Sequence, residues 1–331
     1  MAQMKYRYEL TISSSPHAHR PVTTQKIMLD VLLALLPALI GSVYFFGFRS
    51  LLVTLVSVTA CVVFEWGYRK LLKLDSTVWD LSAVVTGVLL AFVCPVTIPY
   101  WCMIIGDFFA IIVVKQLFGG IGQNFVNPAL AARAFLFSWP VIMTQWAKVG
   151  FENAPGLLST VDTVTQATPL SAMHAGGLPE ETIAELFFGH IGGSLGETST
   201  LLLLIGFAYL LLRKVISARI PVSFVGTVAV LAFLFPQGND RVTWMLAQVC
   251  SGGLMLGAIF MATDYVTSPV TKWGQVLFGI GCGVLTIVIR YFGGYNEGVS
   301  YAILVMNLCV VLLDKVGAPK KFGAAKRRTA K

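Results

Sequence analysis

Charged residues are scarce in this sequence. Asp, Glu, Lys and Arg together make up 12% of its 331 residues, against about 25% in a typical soluble protein. Hydrophobic residues make up 56%, and the mean hydropathy is +0.77. So few charges cannot cover the water-facing surface of a chain this long, which excludes a soluble globular enzyme. The composition therefore predicts an integral membrane protein.

Cysteines are also few, and none of the six belongs to a CxxC pair. Zinc sites and single-chain iron–sulfur motifs use such closely spaced cysteines. Neither kind of metal site is indicated, and we expect buried apolar thiols. An iron–sulfur centre shared with a partner chain stays open as an alternative. The net charge of +8 suits a cytoplasmic membrane face better than nucleic acid, so we expect no nucleic-acid partner.

Apolar stretches long enough to cross a bilayer recur along the chain. About 20 apolar residues cross a hydrocarbon core of roughly 30 Å. By that measure we expect ten helical spans, at residues 27–46, 50–68, 78–94, 99–118, 128–146, 198–213, 219–236, 243–262, 273–292 and 298–314.

The basic residues indicate how these spans are oriented. Lys and Arg gather before the first span, between the second and third, between the sixth and seventh, and after the tenth, whereas the loop between the fifth and sixth spans is acidic. Cytoplasmic loops of membrane proteins carry an excess of Lys and Arg. We therefore expect a multi-pass protein of the cytoplasmic (inner) cell membrane, with both termini cytoplasmic and the acidic loop extracytoplasmic.

Two short strings recur at the same spacing of 174 residues. PVT at residue 95 returns at residue 269, and FGG at residue 118 returns at residue 292. Five expected spans precede the acidic loop and five follow it, and an odd number of spans per repeat turns the second copy upside down. The expected fold is an all-α integral membrane protein with ten transmembrane helices in two inverted five-helix repeats.

This organisation divides the chain into five segments. They are a cytoplasmic N-terminal segment at 1–26, a first five-helix repeat at 27–146, an extracytoplasmic loop at 147–197, a second five-helix repeat at 198–314 and a basic cytoplasmic tail at 315–331.

A glycine-rich polar stretch, GGIGQNFVNP, interrupts the first repeat at residues 119–128. Asn127 suits a helix N-cap, and Pro128 suits the first helical turn. Amides at a helix N-terminus favour an anionic or hydrogen-bonding ligand. Asn124 and Asn127 are three residues apart and could present their amides to one edge of a heterocycle. A purely capping role for Asn127 is the alternative.

The acidic loop contains a hydroxyl-rich string, DTVTQATPLS, at residues 162–171. A threonine or serine nucleophile needs a base, and the only histidines of the loop are His174 and His190. A hydrolase is therefore disfavoured, and a hydroxyl modified by another enzyme is the open alternative.

Four aspartates lie within or at the ends of the expected spans, where an ionisable group is costly and usually functional. They are Asp30, Asp80, Asp107 and Asp264. Because carboxylate and hydroxyl oxygens are hard ligands, we expect Asp107, Asp264 and the neighbouring Thr263 to line a cation path. A helix cap or an ion pair is the structural alternative for each aspartate.

The loop string resembles the flavinylation motif of one membrane protein family, which contains the D subunit of the Rnf complex and the B subunit of the sodium-pumping quinone reductase. Asp162, Thr165, Ala167 and Thr168 match the motif, whereas Thr163 and Gln166 stand where that family often has glycine. Residues 15–38, 119–135 and 261–264 resemble its other signatures in the same order, so the resemblance covers most of the chain. The quinone reductase protein has a longer N-terminal extension, which favours the Rnf branch of the family.

The resemblance implies two flavins. FMN would be joined to Thr168 through a phosphoester by a flavin transferase, in a site with Asp162, Thr165 and Ala167. A second, non-covalent flavin of riboflavin type would bind near Gly120, Asn124 and Asn127, toward the opposite face of the membrane.

The resemblance also implies a function. The chain would be a membrane subunit of an ion-translocating ferredoxin:NAD+ oxidoreductase, passing electrons across the membrane in a process coupled to Na+ or H+ transport. Its partners would be other subunits that carry iron–sulfur and flavin groups, and no catalytic residue or complete active site is expected in this chain alone. A secondary transporter or channel is the alternative, since inverted five-helix repeats are a transporter architecture.

Overall fold

The computed structural model describes residues 23–150, 155–157, 164–179, 181–238 and 240–317. Over these ranges the regular structure is helical, apart from one antiparallel bridge between Ala147 and Thr165. An all-helical, membrane-type architecture is the fold that the hydropathy pattern predicts.

The first half of the chain forms six helices. They are α1 (Thr24–Phe46), α2 (Phe48–Leu71), α3 (Ser82–Phe92), α4 (Tyr100–Phe108, continued by a π-helix over Phe109–Gln116), α5 (Pro128–Leu136) and α6 (Pro140–Met143).

Within its described residues the connecting loop carries two short helices, and the described part of the second half carries six more. They are α7 (Pro169–His174), α8 (Ile183–Phe188), α9 (Thr200–Leu212), α10 (Arg219–Leu234), α11 (Arg241–Cys250), α12 (Leu254–Leu256, continued by a π-helix over Gly257–Met261), α13 (Lys272–Phe292) and α14 (Val299–Gly317).

Four of the described helices, α1, α2, α13 and α14, are long and apolar enough to cross a membrane. A fifth span results if α11 and α12 count as one helix bent by 60°. Helices α3, α9 and α10 are apolar but shorter. These helices support a multi-pass membrane protein.

A helix lies within each of the ten expected spans, but two of these helices are much shorter than predicted. In the span expected at 128–146, α5 ends at Leu136, because Pro140 disfavours helical geometry at Trp139 and cannot donate a helical hydrogen bond. In the span expected at 78–94, α3 begins only after a left-handed Leu81.

The two halves of the chain meet where α1 packs against α9. A Cβ atom at Gly206 of α9 would lie 2.3 Å from the carbonyl oxygen of Ala34 in α1, so only glycine permits this approach. Glycine serves the same purpose where α3 crosses α2, since a Cβ at Gly87 would lie 2.8 Å from the Cα of Val58. Small residues at crossings are typical of membrane helix packing.

The non-helical segment between α3 and α4 is buried, and its carbonyl groups are bound by one arginine. The Arg49 side chain is 2% exposed. Its Nε donates to the carbonyl of Val96 at 2.8 Å and its Nη2 to that of Ile98 at 3.1 Å. Its Nη1 donates to the carbonyls of Gly156 and Leu157 at 2.9 and 3.0 Å. Broken helices at membrane depth need such internal donors.

Arg290 of α13 performs the same task at the break between α11 and α12. Its Nη1 donates to the carbonyl of Gln248 at 2.6 Å, and its Nη2 donates to that of Ser251 at 3.2 Å. Each half of the chain thus contains a break whose carbonyls are bound by a buried arginine.

We expect Arg49→Ala to lower the free energy of unfolding by on the order of 3 kcal/mol or more, because each buried carbonyl left without a donor costs about 1–3 kcal/mol. The free energy of unfolding of Arg49→Lys should lie between those of the wild-type protein and of Arg49→Ala, since an ammonium group cannot reach all four carbonyls. The measurement is the melting temperature of the detergent-purified protein. Arg241→Ala, at an exposed arginine, is the control, and equal melting temperatures for the two alanine variants would refute the role of Arg49.

Candidate functional site

Two cavities lie at the two ends of the short helix α5. Cavity 1 includes Asn127 and Pro128 at the N-terminus of α5. Cavity 2 includes Arg133 and Phe137 at its C-terminal end.

The cavities also lie toward opposite ends of α1, a helix about 35 Å long. Ile27 and Met28, at the start of α1, line cavity 1. At the other end of α1, the carbonyl of Phe45 accepts a hydrogen bond from Gly150. Gly150 closely follows Trp146, which lines cavity 2. The two cavities therefore face opposite sides of the helical bundle.

The glycine-rich stretch before α5 forms one wall of cavity 1. Gly119, Gly120 and Gly122 have φ angles of +116°, +95° and +88°, a region that favours glycine. The Gly120 amide donates to the carbonyl of Lys115 at 3.0 Å, which ends the π-helix and turns the chain toward α5. Gly120 itself is not among the residues that line the cavity, and it acts through this turn.

The two asparagines both line cavity 1 but differ in how their side chains are engaged. The Asn127 oxygen accepts from the amides of Ala129 and Leu130 as the N-cap of α5, and its Nδ2 donates to the carbonyl of Met261 at 3.3 Å. Asn124 Nδ2 donates to the carbonyl of Val126 at 3.0 Å. The expected capping role of Asn127 is thus present, and Asn124 is the asparagine whose oxygen stays available to a ligand.

Thr263 and Asp264 line the same cavity as the two asparagines, although about 140 residues separate them in the sequence. The Asp264 carboxylate accepts from Thr267 at 3.0 Å, and the Thr263 hydroxyl donates to the carbonyl of Ile259 at 2.6 Å. Cavity 1 therefore combines amide, hydroxyl and carboxylate groups from both halves of the chain.

Sequence reasoning missed a buried ion pair at the edge of cavity 1. Lys115 Nζ lies 2.7 Å from Glu65 Oε2 and donates to Ser82 Oγ at 2.6 Å. Lys115 and Ser82 both line the cavity. The signal was available, because Glu65 and Lys115 are charged residues within the spans expected at 50–68 and 99–118.

The flavinylation-like string is described from Val164 onward, so Asp162 lies outside the described residues. The bridge to Ala147 fixes Thr165, and Ala167 is exposed. Thr168 is half-buried, lies at the N-cap position of α7 and makes no side-chain capping bond.

Thr168 lines cavity 2 together with Arg133 and the aromatic rings of Phe137, Tyr295 and Tyr301. Arg133 is 1% exposed; it lies 3.5 Å from Glu197, forms a closer ion pair with Glu297, and donates to Ser300 at 3.0 Å. In the loop before α9, burial and the nearby Glu297 carboxylate raise the pKa of Glu197, against the opposing effect of Arg133. Cavity 2 thus combines aromatic surface with buried charge.

The remaining aspartates lie elsewhere. Asp107, fully buried on α4, is not among the residues that line cavity 1, so the expected cation residues fall in two places. Asp30 pairs with Arg213 at 3.2 Å, and Asp80 accepts from the backbone and side chain of Ser82 at the start of α3. The ion pair named as the structural alternative is thus present for Asp30, whereas Asp80 binds the first residue of α3 without being its N-cap.

Comparisons with known proteins agree with the resemblance seen in the sequence. A family model described as the NQR2, RnfD, RnfE family matches residues 11–323. The chain is 48% identical to the D subunit of the Na(+)-translocating ferredoxin:NAD(+) oxidoreductase complex of Acetobacterium woodii, over 96% of both chains.

Two further relatives carry related names. The chain is 44% identical to the D subunit of the proton-translocating ferredoxin:NAD(+) oxidoreductase complex of Clostridium ljungdahlii, over 95% of this chain and 96% of the relative. It is 39% identical to the D subunit of the ion-translocating oxidoreductase complex of Stutzerimonas stutzeri, over 91% and 92%.

We expect Asn127→Ala to lower the free energy of unfolding by about 1–2 kcal/mol, because α5 loses its N-cap. Asn127→Ser keeps a capping oxygen but loses the bond to Met261, so it should recover most of the stability. Thermal unfolding of the detergent-purified variants measures both effects. If the serine variant is as unstable as the alanine variant, the cap is not what Asn127 contributes.

Proposed function

Since the chain belongs to the NQR2, RnfD, RnfE family, we propose that it is the D subunit of an ion-translocating ferredoxin:NAD+ oxidoreductase complex of the Rnf type. The 48% identity to a relative of that name, over nearly the whole of both chains, carries this proposal. Other subunits, with iron–sulfur and flavin groups, would contact ferredoxin and NAD+, and this chain would conduct electrons within the membrane.

The proposed topology has ten spans in two inverted repeats, with both termini cytoplasmic and the Thr168 loop extracytoplasmic. Equivalent helices begin at similar intervals: α1 and α9 at residues 24 and 200, α2 and α10 at 48 and 219, and α5 and α14 at 128 and 299. These intervals are close to the spacing of 174 residues between the recurring strings. The positive-inside distribution of Lys and Arg supports the orientation.

The proposed covalent cofactor is FMN, esterified to the Thr168 hydroxyl by a flavin transferase. Three observations support the fit of FMN to this site. The hydroxyl makes no capping bond, the side chain faces cavity 2, and that cavity offers Phe137, Tyr295 and Tyr301 as aromatic surface for a planar ring. Arg133 lines the same cavity, where its charge is shared with Glu197 and Glu297.

Cavity 1 is the proposed site of a second, non-covalent flavin of riboflavin type. Apolar side chains such as Ile216 and Phe260 form much of its wall, and Asn124 and Lys115 supply a few polar groups, as is typical of a small-molecule site. Asn127 and Gly120 would act indirectly, by fixing the start of α5 and the turn that precedes it.

The two cavities suggest how this chain would carry electrons across the bilayer. Bound flavins supply the redox chemistry, and the protein supplies position and electrostatics. Helix α5 holds the two cavities at a fixed separation, with Asn127 at one end and Arg133 at the other. Tethering at Thr168 would prevent loss of the outer cofactor to the extracytoplasmic phase.

Ion coupling is the remaining part of the proposal, and the ion is Na+ or H+. Moving one charge across the membrane is worth about 2.3 kcal/mol per 100 mV. Asp264 and Thr263 lie in cavity 1, where their oxygens would meet a cation that responds to the charge of a neighbouring cofactor.

We expect the denatured protein, co-expressed with a flavin transferase, to give a fluorescent band on a gel under ultraviolet light. Thr168→Val should abolish the band, because it removes the only oxygen of that side chain and keeps its shape. Thr182→Val, in the same loop but outside the motif, is the control and should keep the band. A non-fluorescent wild-type protein would contradict the redox assignment, and substrate uptake by the purified chain alone would favour a transporter.

A further inference from the structure

Helix α2 carries a line of polar side chains on one face, inside the helical bundle. Ser57, Cys61 and Glu65 are spaced four residues apart, so they share one side of the helix. All three are at most 1% exposed. Opposite them are Asp107 of α4 and Lys115 of its π-helical continuation. We call these five residues the polar stripe.

One end of the stripe is Asp107, whose hydrogen bonds reveal where a proton must be. Ser57 Oγ lies 2.6 Å from Asp107 Oδ1 and 2.9 Å from the carbonyl oxygen of Gly87. A serine hydroxyl has one proton, so it cannot donate to both oxygens at once. Both contacts are satisfied if Asp107 is a carboxylic acid that donates to Ser57, while Ser57 donates to Gly87.

The surroundings of Asp107 also favour the neutral acid. The side chain is fully buried, and its Oδ2 has no hydrogen-bond partner. Two thiols interact with it, Cys61 of α2, whose Sγ lies 3.3 Å from Oδ1, and Cys94 after α3. No lysine, arginine or histidine in the described residues forms an ion pair with it. An ionised carboxylate in such a place would be very costly.

The other end of the stripe, Glu65 and Lys115, is connected by hydrogen bonds to the protein surface. Lys115 Nζ binds both Glu65 and Ser82, and Ser82 Oγ donates to Asp80 at 2.5 Å. Asp80 is half-buried, in the turn before α3. Lys115 and Ser82 also line cavity 1. Protonatable groups thus connect both the surface and cavity 1 to the Glu65 end of the stripe.

The chemistry of the stripe suits protons better than sodium. Hard cations need several oxygen ligands, whereas the stripe places a thiol beside Asp107 and an ammonium group on the route to it. Hydroxyl, thiol, ammonium and carboxyl groups can each give up a proton, and their deprotonated forms can each accept one.

The stripe belongs to one repeat only. The residues 174 positions after Ser57, Cys61, Glu65, Asp107 and Lys115 are Leu231, Phe235, Asn239, Gly281 and Ile289. None of these five is ionisable. The buried ionisable groups of the stripe are therefore specific to the first half of the chain.

We propose that Asp107 is an intramembrane proton-binding site, loaded and unloaded along the polar stripe from the side of cavity 1. A proton arriving through Glu65 and Lys115 binds the Asp107 carboxylate at Oδ1, and the acid releases it by the same route. Proton binding follows from the geometry alone, whereas its coupling to electron transfer rests on the proposed function.

The test is labelling with N,N′-dicyclohexylcarbodiimide, an apolar reagent that reacts with protonated carboxyl groups. The complex in native membranes is labelled over a range of pH, and the modified residues of this chain are identified by mass spectrometry. We expect modification of Asp107 that decreases as the pH rises and that is the same in sodium chloride and choline chloride.

Two variants control this measurement. Asp107→Asn should lose the label, and Asp240→Asn, at an exposed N-cap of α11, should keep it. Absence of label on Asp107 at every pH would overturn the proposal, because the acid would then not exchange its proton. Protection by sodium at constant pH would also overturn it, because the site would then bind a cation.

Coupling is tested on the assembled complex in sealed vesicles. Asp107→Asn should keep the fluorescent flavin band of this chain and lose proton movement driven by electron transfer. Unchanged proton movement per electron would refute coupling through Asp107. Carbodiimide labelling needs no flavin, so a missing flavin band would overturn the proposed function and leave the proton site standing.

Discussion

The structure depends on one constraint: a backbone carbonyl that leaves a helix within the bundle must find a donor inside the protein. Arg49 provides donors to the break between α3 and α4, and Arg290 to the break between α11 and α12. A buried arginine suits this purpose because its planar guanidinium reaches several carbonyls at once. Without these two side chains, carbonyls of both breaks would lose donors inside the bundle.

The two candidate sites lie at the ends of one short helix. Helix α5 packs against α3, α4 and α14 within the bundle, and both its ends face cavities. Asn127 closes one end by capping the first turn. Arg133, near the other end, is held between Glu197 and Glu297. The same helix therefore fixes the position of both candidate sites, and a change in its packing would affect the two together.

The sequence predicts those features that depend on local chemistry. Asn127 followed by Pro128 correctly predicts where α5 begins, since N-cap and first-turn preferences are local. The end of α5 at Leu136 is not predicted by a hydropathy window, because the apolar residues continue past Pro140. The meeting of Asn124 with Asp264 in one cavity depends on how the two halves pack, which no local pattern contains.

The buried charged residues also differ in how well the sequence reveals them. A span-by-span inspection directs attention to aspartates in the middle of a span, such as Asp107, and overlooks Glu65 and Lys115 near span ends. Removing one partner of such a buried pair leaves an uncompensated charge, so the pair constrains both helices that carry it. Helix α2 shares the buried ion pair and the serine–aspartate contact with α4 and its π-helix, and a glycine crossing with α3, so these helices have little freedom to slide. The wall of cavity 1 formed by α3 and the π-helix is therefore held in place by α2 behind it, as the proposed flavin site requires.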